Sequence, residues 1–191
     1  FGALLGVACL VSLPAARALL GDGMFDPGTT RFTVDAGLTA GGDKLATITY
    51  IDGSDRSIYA GSALYADAGF LHNFAASNWS LKGTVGYAFY TVHADNGDFT
   101  FDHEPVDLIA IYNHGRHHFG VGVTYHISPH LDLYGFGPNA DFNNAAGIVL
   151  QYQYWLFGVR YTNIRYTASS SCNLQCSFDG SNIGVFFNYA F

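Results

Sequence analysis

The chain has 191 residues, a formal net charge of −7 and only 12% charged side chains. That is enough length for one domain, and eight Lys and Arg in total supply no basic footprint for nucleic acid. Mean hydropathy is +0.15, and after the first twenty positions there is no run of about 20 apolar residues, which excludes a bundle of membrane-crossing helices.

Phe1 to Leu13 is apolar apart from small residues and Ser12, and Pro14 ends the run. Ala16-Arg17-Ala18 supplies the small-x-small pattern of a signal peptidase site. A secretory signal over 1–18, cleaved after Ala18, is therefore predicted. With no initial Met and no positive n-region, the first few residues are expected to be truncated. Cys9 lies inside this segment with a poor lipoprotein context. Residues 19–30, with Gly21, Gly23, Pro27 and Gly28, read as a lead-in to a single domain expected over 31–191.

From Arg31 the dominant period is two, the signature of strands. Phe32, Val34, Ala36, Leu38 and Ala40 alternate with Thr33, Asp35, Gly37 and Thr39. Further runs cover Leu45–Ile51, about Ser57–Leu71, Trp79–Phe89, Phe101–Tyr112, Phe119–Ile127, Ala146–Tyr154, Phe157–Thr162 and Asn182–Phe191. The Phe101–Tyr112 run alternates poorly, because Val106 to Ile111 is nearly all apolar. One face of most runs is apolar and rich in Tyr and Phe. The other is Gly, Thr, Ser and Gln with isolated charges. A soluble β-sandwich is the competing class, but its outer face should carry Lys and Glu. The pattern instead fits an all-β, antiparallel transmembrane β-barrel, whose strands turn apolar residues to lipid and polar ones inward. Nine runs are counted, whereas single-chain bacterial barrels have even strand numbers. Eight strands is the first choice and ten the second.

Ile183, Val185, Phe187, Tyr189 and Phe191 stand at every second position. This ending resembles the C-terminal signature of bacterial outer-membrane β-barrels, in which Val185, Phe187, Tyr189 and Phe191 would be the signal read by the barrel assembly machinery. Gly41-Gly42-Asp43-Lys44-Leu45-Ala46-Thr47, Thr124-Tyr125-His126-Ile127-Ser128-Pro129 and Arg160-Tyr161-Thr162-Asn163-Ile164-Arg165-Tyr166 resemble segments of small proteobacterial outer-membrane barrels to which no biochemical role is attached. The resemblance implies the outer membrane as location and its lipids and lipopolysaccharide as surroundings. It places both termini in the periplasm and the loop bearing Cys172 and Cys176 outside. In that oxidising setting the two Cys, four apart, read as a short loop disulfide.

Asp35, Asp67, Lys82, Gln151, Gln153 and Arg160 fall on the polar face and are expected to form an interior network, since charges taken from water need partners. Two readings of the abundant interior Gly remain open: they let Tyr side chains pack across the lumen, or they leave space for a narrow conduit for small polar solutes. Trp79 and Trp155 lie near strand ends and fit interfacial aromatic girdles, with core packing as the alternative. His126-Ile127-Ser128, with Asp141 downstream, resembles the His-x-Ser pair of outer-membrane lipid A deacylases, where His would draw the Ser proton and a carboxylate would orient the His. Pro129 after the Ser, Asp in place of Glu, and a strand parity that puts His126 away from lipid all depart from that pattern. His114, His117 and His118 cluster, but adjacent strand residues point to opposite faces. No metal and no cofactor are expected. A structural or loop-mediated binding role is the reading carried forward, with the conduit and the esterase as alternatives and the ligand unknown.

Overall fold

The computed structural model describes residues 23–49, 55–94, 97–134, 139–169 and 177–191. The expected signal segment and both Cys172 and Cys176 lie outside the described residues. The described residues form strands and turns only: β1 (Thr30–Gly41), β2 (Lys44–Thr49), β3 (Asp55–Tyr59), β4 (Ala63–Asn73), β5 (Trp79–Ala94), β6 (Gly97–His114), β7 (His117–Leu133), β8 (Ala140–Asp141), β9 (Ala145–Tyr154), β10 (Phe157–Thr167), β11 (Ser177–Asp179) and β12 (Asn182–Ala190).

Eight of these close into an antiparallel barrel in the order β1-β4-β5-β6-β7-β9-β10-β12, with β12 pairing back onto β1 from Thr33↔Ala190 to Gly41↔Asn182. Closure leaves no sheet edge, the condition for a β-structure to sit in lipid. The ninth run of the sequence is accounted for by a hairpin. Leu45–Ile51 does not enter the barrel; its described part pairs as β2 with β3 outside the wall, and the Ser57–Leu71 run divides between β3 and β4.

The period-two pattern sets which side chains point where. Leu38, Leu64, Val85, Leu108, Val121, Val123, Ile148, Leu150, Val159, Ile183 and Val185 face outward as an exposed apolar belt. Aromatic residues rim it. Phe32, Phe70, Trp79, Tyr112, Phe119, Tyr154 and Phe157 lie toward the short-turn end, and Tyr87, Phe89, Tyr125 and Tyr161 toward the other. A belt with two aromatic girdles is what an outer wall in lipid requires. Trp155 departs from the girdle expectation. It sits at φ 57° in the β9–β10 turn and packs against the interior cluster of Met24, Leu71, Ile109, Ile111, Val149, Leu156 and Ala190.

That cluster explains the poor alternation of β6. Ile109 and Ile111 point inward, 0% and 1% exposed, while Leu108 and Tyr112 point outward. The inner face is apolar here because the lumen is closed at this end by packed side chains, Met24 of the lead-in among them. The lead-in is tied in place: Asn73 Nδ2 donates to the Met24 carbonyl at 3.0 Å, and Phe25 stacks on His118 with ring centroids 3.8 Å apart.

β5, β6 and β7 have 16, 18 and 17 residues, against 9 to 12 for the other five wall strands. A tilted strand crosses a bilayer in about 9–11 residues. These three therefore run on past the belt by about 20 Å at the loop end. The inner face of this projecting sheet packs Val92, Phe99, Phe101 and Leu131 against Ile58 and Ala60 of the β2–β3 hairpin, Phe142, Ala145, Ile164 and Tyr166. The hairpin thus lies across the loop end of the lumen.

Candidate functional site

Between the two apolar clusters the lumen is polar. Asp35, Asp67, Lys82, Gln151, Gln153 and Arg160 are all buried there, on β1, β4, β5, β9 and β10. Lys82 Nζ lies 2.5 Å from Asp35 Oδ2, with both side chains almost fully buried. Asn188 Nδ2 donates to the other Asp35 oxygen and, at 2.7 Å, to Thr33 Oγ1. Arg160 pairs with Asp107, which stands within the nearly apolar run Val106–Ile111 of β6. Gln153 donates to the Trp155 carbonyl at 2.7 Å and to Asn188 Oδ1 at 3.3 Å. Gln151 lies in the same layer with neither amide atom bonded.

The interior glycines let side chains pack across the lumen. A Cβ on Gly37 would lie 2.7 Å from Tyr65 Cε1, and one on Gly158 2.5 Å from Phe186 Cε1. Some space remains. A cavity of about 40 Å³ lies between the polar layer and the hairpin, lined by Tyr65, Asp67, His103, Asp107, His126 and Arg160 among others.

The His126–Ser128–Asp141 constellation is not brought together. The β6–β7 pairing slips by one residue, Asp102 facing His130 while Glu104 faces Ile127. Ser128 occupies this bulge at φ 47°, and an extra residue there flips the faces beyond it. His126 points into the lumen, stacks on His103 at 4.1 Å and bonds the Tyr166 hydroxyl through Nδ1 at 2.6 Å. Ser128 is exposed on the outside, and its backbone amide donates to Asn144 Oδ1 at 2.9 Å. Asp141 bonds His130 Nδ1 at 2.6 Å instead. His117 and His118 diverge, as their adjacency requires: His117 meets the Tyr152 hydroxyl outside at 2.8 Å and His118 meets Asn113 Oδ1 at 2.9 Å. Among the described residues no three His, Cys, Asp or Glu side chains converge as metal ligands would.

Sequence reasoning missed the attachment of the hairpin. Asp43 N–H donates to the Asp179 carbonyl at 2.6 Å, and Asp179 N–H donates to Asp43 Oδ2 at 2.8 Å. This reciprocal pair joins the β1–β2 turn to β11 outside the belt. The Gly41-Gly42-Asp43 turn signal was visible, but its partner lies 136 residues away. Ser181, through its hydroxyl and its amide at 2.9 Å, holds the Asp179 carboxyl below the usual carboxylate range. A group with a depressed folded value contributes stability that is present above its unfolded value, about 3.9, and is lost as pH falls through the folded one. The Ser181 amide resonance is accordingly expected to titrate with a midpoint below 3.9 and to lose that transition in Asp179→Asn; an ordinary midpoint would contradict the contact.

A closed barrel with an apolar outer belt, a polar interior and one projecting side defines the class: an eight-stranded membrane β-barrel. A solved structure matching the chain is that of Ail, the attachment invasion locus protein of Yersinia pestis, at 10% identity and a TM-score of 0.40 over 85% of this chain and 99% of that one. No family model and no curated protein matches the sequence.

Proposed function

We propose that the chain is an integral barrel of the bacterial outer membrane that acts as a rigid scaffold for binding at its loop end. The observation that carries this reading is the asymmetry of the wall. Three strands continue about 20 Å beyond what a bilayer needs, and all at the end opposite the start of β1 and the end of β12. A wall built only to cross the membrane has no use for that extension, whereas loops and strands on a rigid frame are where contacts to partners sit. The C-terminal pattern supports delivery by the barrel assembly machinery. Val185 and Phe187 are presented on the outer face of the last strand, and the Phe191 amide bonds the Phe32 carbonyl at 2.8 Å.

The interior supports a scaffold over a conduit. Met24 and its cluster close one end, and the hairpin with Ile58, Phe101 and Tyr166 closes the other. Insertion of the purified chain into planar bilayers is expected to give no steady conductance, while replacement of the loop-end segment 92–99 by a two-residue turn leaves a barrel that still inserts but no longer binds its surface partners. Stable ohmic steps from the intact chain would overturn the scaffold reading in favour of the channel.

A further inference from the structure

We propose that the cavity beneath the β2–β3 hairpin binds one small monovalent cation, with the Asp67 carboxylate as its counter-charge. The buried ionic groups of the described lumen are three carboxylates, Asp35, Asp67 and Asp107, and two cations, Lys82 and Arg160. The cations are taken: Lys82 by Asp35 and Arg160 by Asp107. Asp67 is left over. It is 6% exposed, and no basic, amide or hydroxyl donor reaches either of its oxygens. It also stands directly across the β1–β4 pair from Asp35, and like charges directly opposite each other are unfavourable. An unpaired buried charge costs several kcal/mol in a protein interior, so the lumen is one positive charge short, which an ion or a proton must supply.

The missing charge has a place to sit. Asp67 lines the cavity of about 40 Å³ together with Asp107 and His103. Asp107 Oδ1 and His103 Nδ1 are likewise buried and unbonded. One water needs about 10–15 Å³ by the same measure, so an ion and one or two waters fit. The donor set selects the ion. Calcium takes six to eight oxygens, usually from several carboxylates, and zinc a tetrahedral set of His, Cys and carboxylate; no such group converges among the described residues. One free carboxylate, one spare carboxylate oxygen and water suit a singly charged, partly hydrated ion.

On the loop side the cavity is lined by Ala60 and Gly61, the turn between β3 and β4. This turn has no clearance: a Cβ on Gly61 would lie 2.8 Å from both Asn182 Cβ and the Gly180 carbonyl oxygen. The turn at the foot of the hairpin is thus a tightly packed part of the cavity wall.

The test is unfolding of the full chain in detergent at constant ionic strength, with sodium exchanged for choline, which is too large for the cavity. Well above half-saturation, each tenfold rise in sodium is expected to raise the wild-type folding constant about tenfold, and Asp67→Asn is expected to show no sodium dependence. Equal sodium responses in the two proteins would overturn the proposal. So would a wild type indifferent to sodium that shows an infrared carboxylic-acid band absent from Asp67→Asn, since a proton would then supply the charge. Should Asp67→Asn fail to fold, equilibrium dialysis of the wild type against radioactive sodium decides: about one ion retained per chain supports the site, and none removes it.

Discussion

Lys82→Met is expected to destabilise the folded barrel by about 3–5 kcal/mol, the cost of leaving a buried charge without its partner. Lys82 Nζ lies 2.5 Å from Asp35, in a layer where both side chains are at most 2% exposed. Removing the ammonium leaves Asp35 with Asn188 as its remaining donor and with Asp67 directly across the strand pair. Met fills nearly the same volume, so the loss is electrostatic and not a cavity effect. Asp35→Leu in the same background should recover most of the stability, because an apolar pair of similar size is often neutral relative to a buried ion pair. A double-mutant cycle by urea unfolding, read by tryptophan fluorescence, measures the coupling. Additive losses in the double variant would show that the two residues do not act as a pair.

Gly69→Ala is expected to cost about 3 kcal/mol, at the upper end of overpacking penalties. Gly69 faces the lumen on β4, and an added Cβ would strike the Gly83 carbonyl oxygen and lie 2.7 Å from Thr84 Cα. Both are backbone atoms of the neighbouring wall strand and cannot rotate away. The close approach reflects the twist and coiling that an eight-stranded barrel needs to close. Gly83 on the adjoining strand is the internal control: its Cβ would meet nothing nearer than Leu108 Cδ1 at 3.9 Å, and Gly83→Ala should stay within about 0.5 kcal/mol of wild type. The fraction of chain keeping the faster unheated gel mobility compares them. Equal behaviour of the two variants would contradict the assigned packing.

The wall was largely legible because a period of two is a local signal. β1, β4, β5, β7, β9, β10 and β12 each show it, and the buried Asp35, Asp67, Lys82, Gln151, Gln153 and Arg160 follow from parity alone. It failed where another requirement outweighed polarity. On β6, Ile109 and Ile111 belong to the apolar stopper of the short-turn end, so both faces read as apolar and Asp107 lost its parity. At Ser128 the bulge changes parity within the strand, and no local residue pattern fixes the register slip between Asp102 and Glu104. Leu45–Ile51 counts as one of nine strand runs because a hairpin outside the wall is also built of strands; its latch to Asp179, a contact between distant parts of the chain, leaves no local signal. The His126–Ser128 pair looked like chemistry because the residues are two apart, and it comes apart for the same bulge.

The outer wall meets the hydrocarbon layer directly, and a tryptophan placed on it can report that contact. Val121 lies mid-belt and is 49% exposed. In a chain with Trp79 and Trp155 replaced by Phe, Val121→Trp should be quenched strongly by lipids brominated deep in their acyl chains once the barrel is folded into vesicles. That result would place the belt in the hydrocarbon layer. Fluorescence unaffected by the brominated lipids, with the strands formed, would mean that the apolar wall meets something other than lipid and would contradict a membrane-spanning barrel.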